Sequence, residues 1–295
     1  MHIISNQTTM TTIKHFVVTF FNLRLWPSDK KNIPTLTPEW LDKRFSLFEK
    51  YCYPSVKNQS TGNFIWLCLF DTDTPEKYKG YIKRYEAECP SFQAHYFTEA
   101  EAKEWSTNIK KIILPYLTPE DEYIITTNLD NDDALEHHMI EKIQALVTAD
   151  PVEALYSFNK GLQYFADLNI ALRMVYPHNH FLTLVERNNA DFKTIESYFH
   201  GDARRYLKTI DIKEGYYWME VVHQNNVSND MRLTTRIKYY PIFSSLSLKE
   251  YGLDITIQGS TNVFNMFIKL PYRMICVARR KLGKKIKKKF CRKKK

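Results

Sequence analysis

Tyr123-Ile-Ile-Thr-Thr-Asn-Leu-Asp130-Asn-Asp-Asp133-Ala-Leu135 is the stretch that decides how this chain reads. Its apolar, β-branched beginning predicts a buried strand, which gives out into three carboxylates within four positions. Carboxylates so close repel one another unless a cation or positive ligand lies between them. Open α/β sheets bind ligands at the carboxyl ends of their strands. The motif therefore predicts a metal-dependent site for a phosphorylated ligand. A helix is expected directly after Asp133, with backbone N–H groups that would face a phosphate. The competing reading of the same residues is an acidic turn that caps this helix.

Working outward, His15-Phe-Val-Val-Thr-Phe-Phe21 and Asn63-Phe-Ile-Trp-Leu-Cys-Leu-Phe70 read as buried strands, and Phe92-Gln-Ala-His-Tyr-Phe97 as a third. Residues 38–52 carry apolar side chains at helical spacing behind Thr37 as N-cap. Thr74-Pro75-Glu76 opens a helix running to about Glu88, with Pro at its first position. Residues 99–113 also read as helix. This alternation predicts an α/β fold with a mixed, mostly parallel sheet flanked by helices on both faces. Downstream, 136–146 reads as helix, 154–165 and 172–185 as strand-like stretches, and 216–222 as an apolar strand. No internal repeat is evident.

The net charge of +9 divides unevenly along the 295 residues. From Lys269 to Lys295 there are 14 Lys or Arg and no acidic residue, which leaves 28 basic against 33 acidic residues in the rest. The body is thus acidic, and a nucleic-acid-binding body is not expected. Cys52, Cys68, Cys89, Cys276 and Cys291 show neither C-x-x-C nor zinc spacing, so reduced thiols in a cytoplasmic protein are expected. No stretch has the roughly 18 apolar residues of a spanning helix, and no signal sequence opens the chain. The expected organisation is a short leader (1–12), one α/β domain (13–260) and a basic amphipathic tail (261–295). In the tail Pro271 is expected to interrupt any single helix. Leu282, Ile286 and Phe290 fall on one helical face amid lysines, a pattern suited to an anionic membrane surface.

Within the acidic motif, alternate side chains of an extended segment share a direction, so Asp130 and Asp132 can address one ligand. Such oxygen ligands suit Mg²⁺ or Mn²⁺, which also bind substrate phosphates. Asp71-Thr-Asp73 is a second D-x-D. It reads either as a ligand contact or as an acidic cap before the helix at Glu76.

The segment Thr126-Thr-Asn-Leu-Asp-Asn-Asp-Asp-Ala-Leu135 resembles the core motif of the bacterial rhamnosyltransferase family, which has the GT-A, Rossmann-like arrangement. His15-Phe-Val-Val-Thr-Phe-Phe-Asn22, Phe181-Leu-Thr-Leu-Val-Glu186 and Trp218-Met-Glu-Val-Val-His-Gln-Asn-Asn-Val-Ser-Asn229 follow that family in order, and Phe70-Asp-Thr-Asp-Thr-Pro75 matches more weakly. The resemblance implies metal-dependent transfer of a sugar, rhamnose by the family's name, from a nucleotide donor to a cell-surface glycan or lipid-linked acceptor, with inversion. It implies Asp132 and His223 as metal ligands, with Asp130, Asp133, Asp71, Asn226 and Asn229 around the donor. His223 also reads as a structural histidine, and Asn226 and Asn229 as turn residues. Glu186, and after it Asp191, are the candidate general bases. The family's first strand runs into an arginine where this chain has Phe20, and Arg24 is the nearby replacement. The membrane-facing tail then implies a peripheral protein on the inner face of the plasma membrane. Two alternatives use the same residues: a nucleotidyltransferase or phosphohydrolase, and a non-catalytic, membrane-associated glycan-binding protein.

Overall fold

The computed structural model describes residues 11–25, 28, 34–198, 202–223 and 234–292, with side chains after 276 described only at Arg279. Four strands build the first half. They are β1 (Ile13–Phe20), β2 (Ile65–Asp71), β3 (Phe92–Phe97) and β4 (Tyr123–Asn128). Between them run α1 (Pro38–Leu47), α2 (Tyr53–Lys57), α3 (Glu76–Glu88), α4 (Glu99–Lys103) and α5 (Trp105–Ile113). A single π-turn, Phe48–Cys52, joins α1 to α2, so the 38–52 helix continues past its expected end. Thr37 caps α1 by accepting from Trp40 N (3.3 Å), and Thr98 and Glu101 close a reciprocal capping box on α4.

After Asp133 the expected helix does not begin. Ala134–Leu135 forms a short strand, β5, and the helix, α6, spans Met139–Ala149. Then come β6 (Ala154–Phe158), β7 (Lys160–Phe165), β8 (Ile170–Val175), β9 (Leu182–Arg187), α7 (Ala203–Tyr206), β10 (Thr209–Ile212), β11 (Trp218–Val222) and β12 (Lys238–Pro241). Two very short strands, β13 (Leu246–Ser247) and β14 (Thr256–Ile257), precede α8 (Gly259–Arg292). This last helix continues through Pro271, correcting the expected break there.

Among the described residues, seven strands form one sheet in the order β10-β6-β9-β4-β1-β2-β3. β1, β2, β3 and β4 are mutually parallel, while β9 runs antiparallel to both β4 and β6. The sheet is thus mixed and largely parallel, as expected, with helices on both faces. One face holds Val17, Trp66, Cys68, Phe70 and Ile125 against Phe45, Phe48, Tyr78, Tyr85 and Ile143. The other holds Phe16, Val18, Leu67, Leu69 and Ile124 against Ala102, Ile109 and Ile113. Aromatic rings dominate the first layer; Phe48 alone lies within 6.3 Å of Phe21, Tyr53, Trp66, Tyr85 and Phe92.

A second sheet, β12-β8-β7-β11-β5, packs around its own cluster of Leu162, Tyr164, Met219 and Val221. The acidic segment is the joint between the sheets, with β4 on one side and β5 on the other. β5 pairs antiparallel with β11, Ala134 opposite Met219 and Leu135 opposite Trp218. That register carries the end of β11 back alongside the three aspartates.

Candidate active site

The parallel strands β1, β2 and β4 all end at the same edge of the main sheet, which brings three loops together. From β1, Asn22 accepts from Asp71 N (3.2 Å) and donates to Thr74 Oγ1 (3.0 Å), pinning the end of β2. Asp71 is buried, and Arg24 grips it through Nε (3.3 Å) and Nη2 (3.2 Å) while reaching Asp73 at 2.8 Å. The arginine therefore offsets one of the two charges of the second D-x-D.

From β4, Asn131 donates to the carbonyls of Phe20 (3.0 Å) and Phe21 (2.8 Å), which anchors the acidic loop to β1. Asp132 is buried with its Oδ2 2.9 Å from His223 Nε2 and 3.0 Å from Arg44 Nη1. Arg44 also donates to Asn131 Oδ1 (2.8 Å) and lies over the Trp40 ring. Burial alone would raise the Asp132 carboxyl; the Arg44 charge and the His223 hydrogen bond outweigh it and hold the group down to about 2.

Asp133 is fully buried. Its Oδ1 accepts from Val221 N (2.8 Å) and its Oδ2 meets His180 Nε2 at 2.8 Å. Burial pushes its carboxyl up to about 8, against the pull of His180. Burial would lower His180, yet its bond to Asp133 and the charges of Asp130 and Asp133 raise it to about 9. Asp130 is part-exposed, 3.8 Å from the same His180 nitrogen.

His180, which the sequence reading missed, is placed by strand direction. Because β9 is antiparallel to β4, with Thr183 opposite Thr127, the residues just before β9 meet the end of β4. Asn128 Nδ2 donates to the His180 carbonyl (3.1 Å) accordingly. The same reversal carries Glu186 away. It lies opposite Ile124, near the start of β4, and accepts from Lys193 N (3.1 Å). The structure does not bring Glu186 to the aspartates, and Asp191 is exposed in the turn beyond it. Asn226 and Asn229 lie outside the described residues.

A different carboxylate in the segment after β9 feels the charge of the acidic loop. Glu196 sits in the 3₁₀ turn Ile195–Ser197, held to β4 by Ile195 N donating to Thr126 Oγ1 (2.9 Å). It is buried, its Oε1 has no hydrogen-bond partner among the described residues, and burial followed by the charge of Asp130 pushes its carboxyl up to about 8. In sequence it is one acid among many, with no strand or motif to mark it.

The donor set fits a hard divalent cation. Two ligand atoms from segments 91 residues apart converge at Asp132 and His223, and Asp130, Asp133 and His180 form a second cluster with one ligand atom each inside 4.8 Å. A cation would compete with the Arg44 guanidinium for Asp132, since both answer the same negative charge.

Residues 29–235, more than half of the chain, match a protein-family model, which shows the family of this chain. The family's description is "Putative rhamnosyl transferase", and the chain belongs to it. Among solved structures it is similar to S. aureus TarS 1-349, with a TM-score of 0.40 at 11% identity over 70% of this chain and 60% of that one. The same TarS fragment in complex with UDP gives 0.41 at 12% identity, over 71% and 60%. The chain thus spans about 60% of the length of these structures. A comparison with curated proteins finds no match.

Proposed function

We propose that the chain transfers a sugar, rhamnose by the family's description, from a nucleoside diphosphate donor to a hydroxyl of a glycan or lipid-linked acceptor, with inversion. The observation that carries this reading is the meeting of Asp132 and His223, 2.9 Å apart, at the edge where β1, β2 and β4 end. In this reading Asp132 and His223 hold Mn²⁺ or Mg²⁺, which when bound offsets the charge of the leaving diphosphate. Asp130, the part-exposed member of the loop, faces the donor's ribose or sugar. Asp133 and His180 position the loop against β11. Asp71 contacts the nucleoside after Arg24 shifts, or positions it from beneath.

Arg44 takes the part that the family gives to an arginine at the end of its first strand, where this chain has Phe20. With a cation held by Asp132 and His223, the Arg44 guanidinium would be available to pair with diphosphate oxygens. Glu196 replaces Glu186 as the candidate general base. It would accept the proton of the acceptor hydroxyl as the new bond to the anomeric carbon forms and the bond to the diphosphate oxygen breaks. A carboxyl raised to about 8 by burial suits that task near neutral pH.

Calorimetry with nucleoside diphosphates and Mn²⁺, followed by turnover assays, tests the site. Asp132→Asn is expected to lose metal-dependent donor binding and at least about 100-fold in turnover with its circular dichroism unchanged. Full activity in that variant removes the metal assignment. Nucleoside diphosphate released only when acceptor is present separates glycosyl transfer from hydrolysis and from nucleotidyl transfer.

A further inference from the structure

The described part of α8 has two unlike faces. Towards the body, the buried Asn262 donates to the carbonyls of Ala171 (3.2 Å) and Ile242 (2.7 Å) and accepts from Ala171 N (3.0 Å). Asn265 donates to the Leu168 carbonyl (2.8 Å), Leu270 packs with Phe165 and Ile170, and Arg273 pairs with Asp167 at 2.6 Å. These contacts fix the helix to the β7–β8 hairpin.

The other face carries Phe264, Phe267, Ile268, Tyr272 and Ile275, each more than half exposed. Of eleven large apolar side chains exposed among the described residues, five therefore fall within these twelve positions. Their spacing of three and four places them on one stripe. A contiguous exposed stripe of this kind marks an interaction surface rather than ordinary surface scatter. The sequence extends it. Leu282, Ile286 and Phe290 stand eighteen positions after Phe264, Ile268 and Tyr272, and eighteen residues is about five turns of α-helix. Ten of the 14 basic residues found between Lys269 and Lys295 lie between Phe264 and Phe290.

We propose that α8 is an interfacial helix that lies on an anionic lipid surface, with the Phe264–Ile275 stripe sunk into the headgroup boundary and the basic residues drawn to acidic headgroups. Charge selects this occupant. A second copy seated on the stripe would bring two strongly positive tails together, and a nucleic-acid duplex, with its bases stacked inside, would leave the exposed rings unused. This assignment does not depend on the catalytic reading.

The test is co-sedimentation of the full chain with phosphatidylcholine vesicles, with and without phosphatidylglycerol. Wild-type protein is expected to bind only the anionic vesicles, less tightly as salt rises. Replacing Phe264, Phe267 and Ile268 together with Ser should weaken binding by on the order of a hundredfold or more, with unchanged circular dichroism. A second variant, Lys284, Lys285 and Lys287 to Gln, leaves the docked part of the helix untouched and should lose roughly a hundredfold. The proposal fails if wild type ignores anionic vesicles, or if neither variant weakens binding. It also fails if sedimentation shows a wild-type dimer that the triple Ser variant dissociates.

Discussion

Which end of a strand a carboxylate occupies decides what it can do. Glu186 closes an apolar run and reads as a residue delivered to a site, but β9 runs antiparallel to β4, so its start faces the aspartates and its end faces away. The identity of the residues was legible; the direction of the strand was not, because periodicity carries no sign. The three aspartates and His223 were readable because they belong to motifs. His180, Arg44 and Glu196 were not, since each reaches the site through pairing with a distant segment. Glu196→Gln is expected to lower turnover by 10²–10⁴, whereas Glu186→Gln should keep it, as steady-state assays would report. Stability offers a second readout. The native carboxyl titrates near 8 against an ordinary value of 4.5, so the folded state retains a proton the unfolded chain gives up between those values. Wild-type stability falls as pH rises through that window. The Gln variant should therefore gain on the wild type with rising pH, by a few kcal/mol above pH 8, and match it near pH 4 in denaturant titrations.

At the scale of elements, β1–β4, β6 and β9 follow from their apolar runs, and α1 and α3–α5 from helical spacing, whereas β10 and α2 carry no such signal. The instructive exception is β5. Two residues are too few to show a period, and Ala134-Leu135 favours helix by propensity. What makes it a strand is β11, more than eighty residues later in sequence, which pairs with it and leaves no room for a helical turn. The same strand depends on a glycine. A Cβ at Gly161 would lie 2.2 Å from the Trp218 ring. That ring is stacked on Phe181 and its Nε1 donates to the Phe158 carbonyl at 2.7 Å. Gly161→Ala must displace backbone or indole, and a loss of about 1–3 kcal/mol is expected in urea unfolding. Since His223 directly follows β11, the variant should also bind Mn²⁺ more weakly. Pro271 makes the opposite point about α8: contacts on both sides of it, at Leu270 and Arg273, keep the helix going where local chemistry predicts a stop.

For the molecule as a whole, the acidic loop is where two sheets meet, so a ligand bound there ties them together. Mn²⁺ with nucleoside diphosphate at a hundredfold excess over the dissociation constant should add about 2.7 kcal/mol to stability. The melting temperature is then expected to rise by about 4 °C in a thermal-shift assay, with EDTA reversing it and Asp132→Asn abolishing it. No helix among the described residues is long and apolar enough to cross a membrane.

The joint also has a history within each molecule. As the chain is synthesised, Asp130, Asp132 and Asp133 emerge about ninety residues before His223 and before the strand whose Val221 amide binds Asp133. Arg44 and the end of β1 are already made, so the parallel strands β1–β4 can form around the loop and restrain one of its charges. His180 follows, just before β9, to meet Asp133, and the Val221 amide and His223 arrive last with β11. The segment that brings His223 to Asp132 is thus also the one that ties the acidic loop into the second sheet, and the proposed cation site is complete only once β11 has been made.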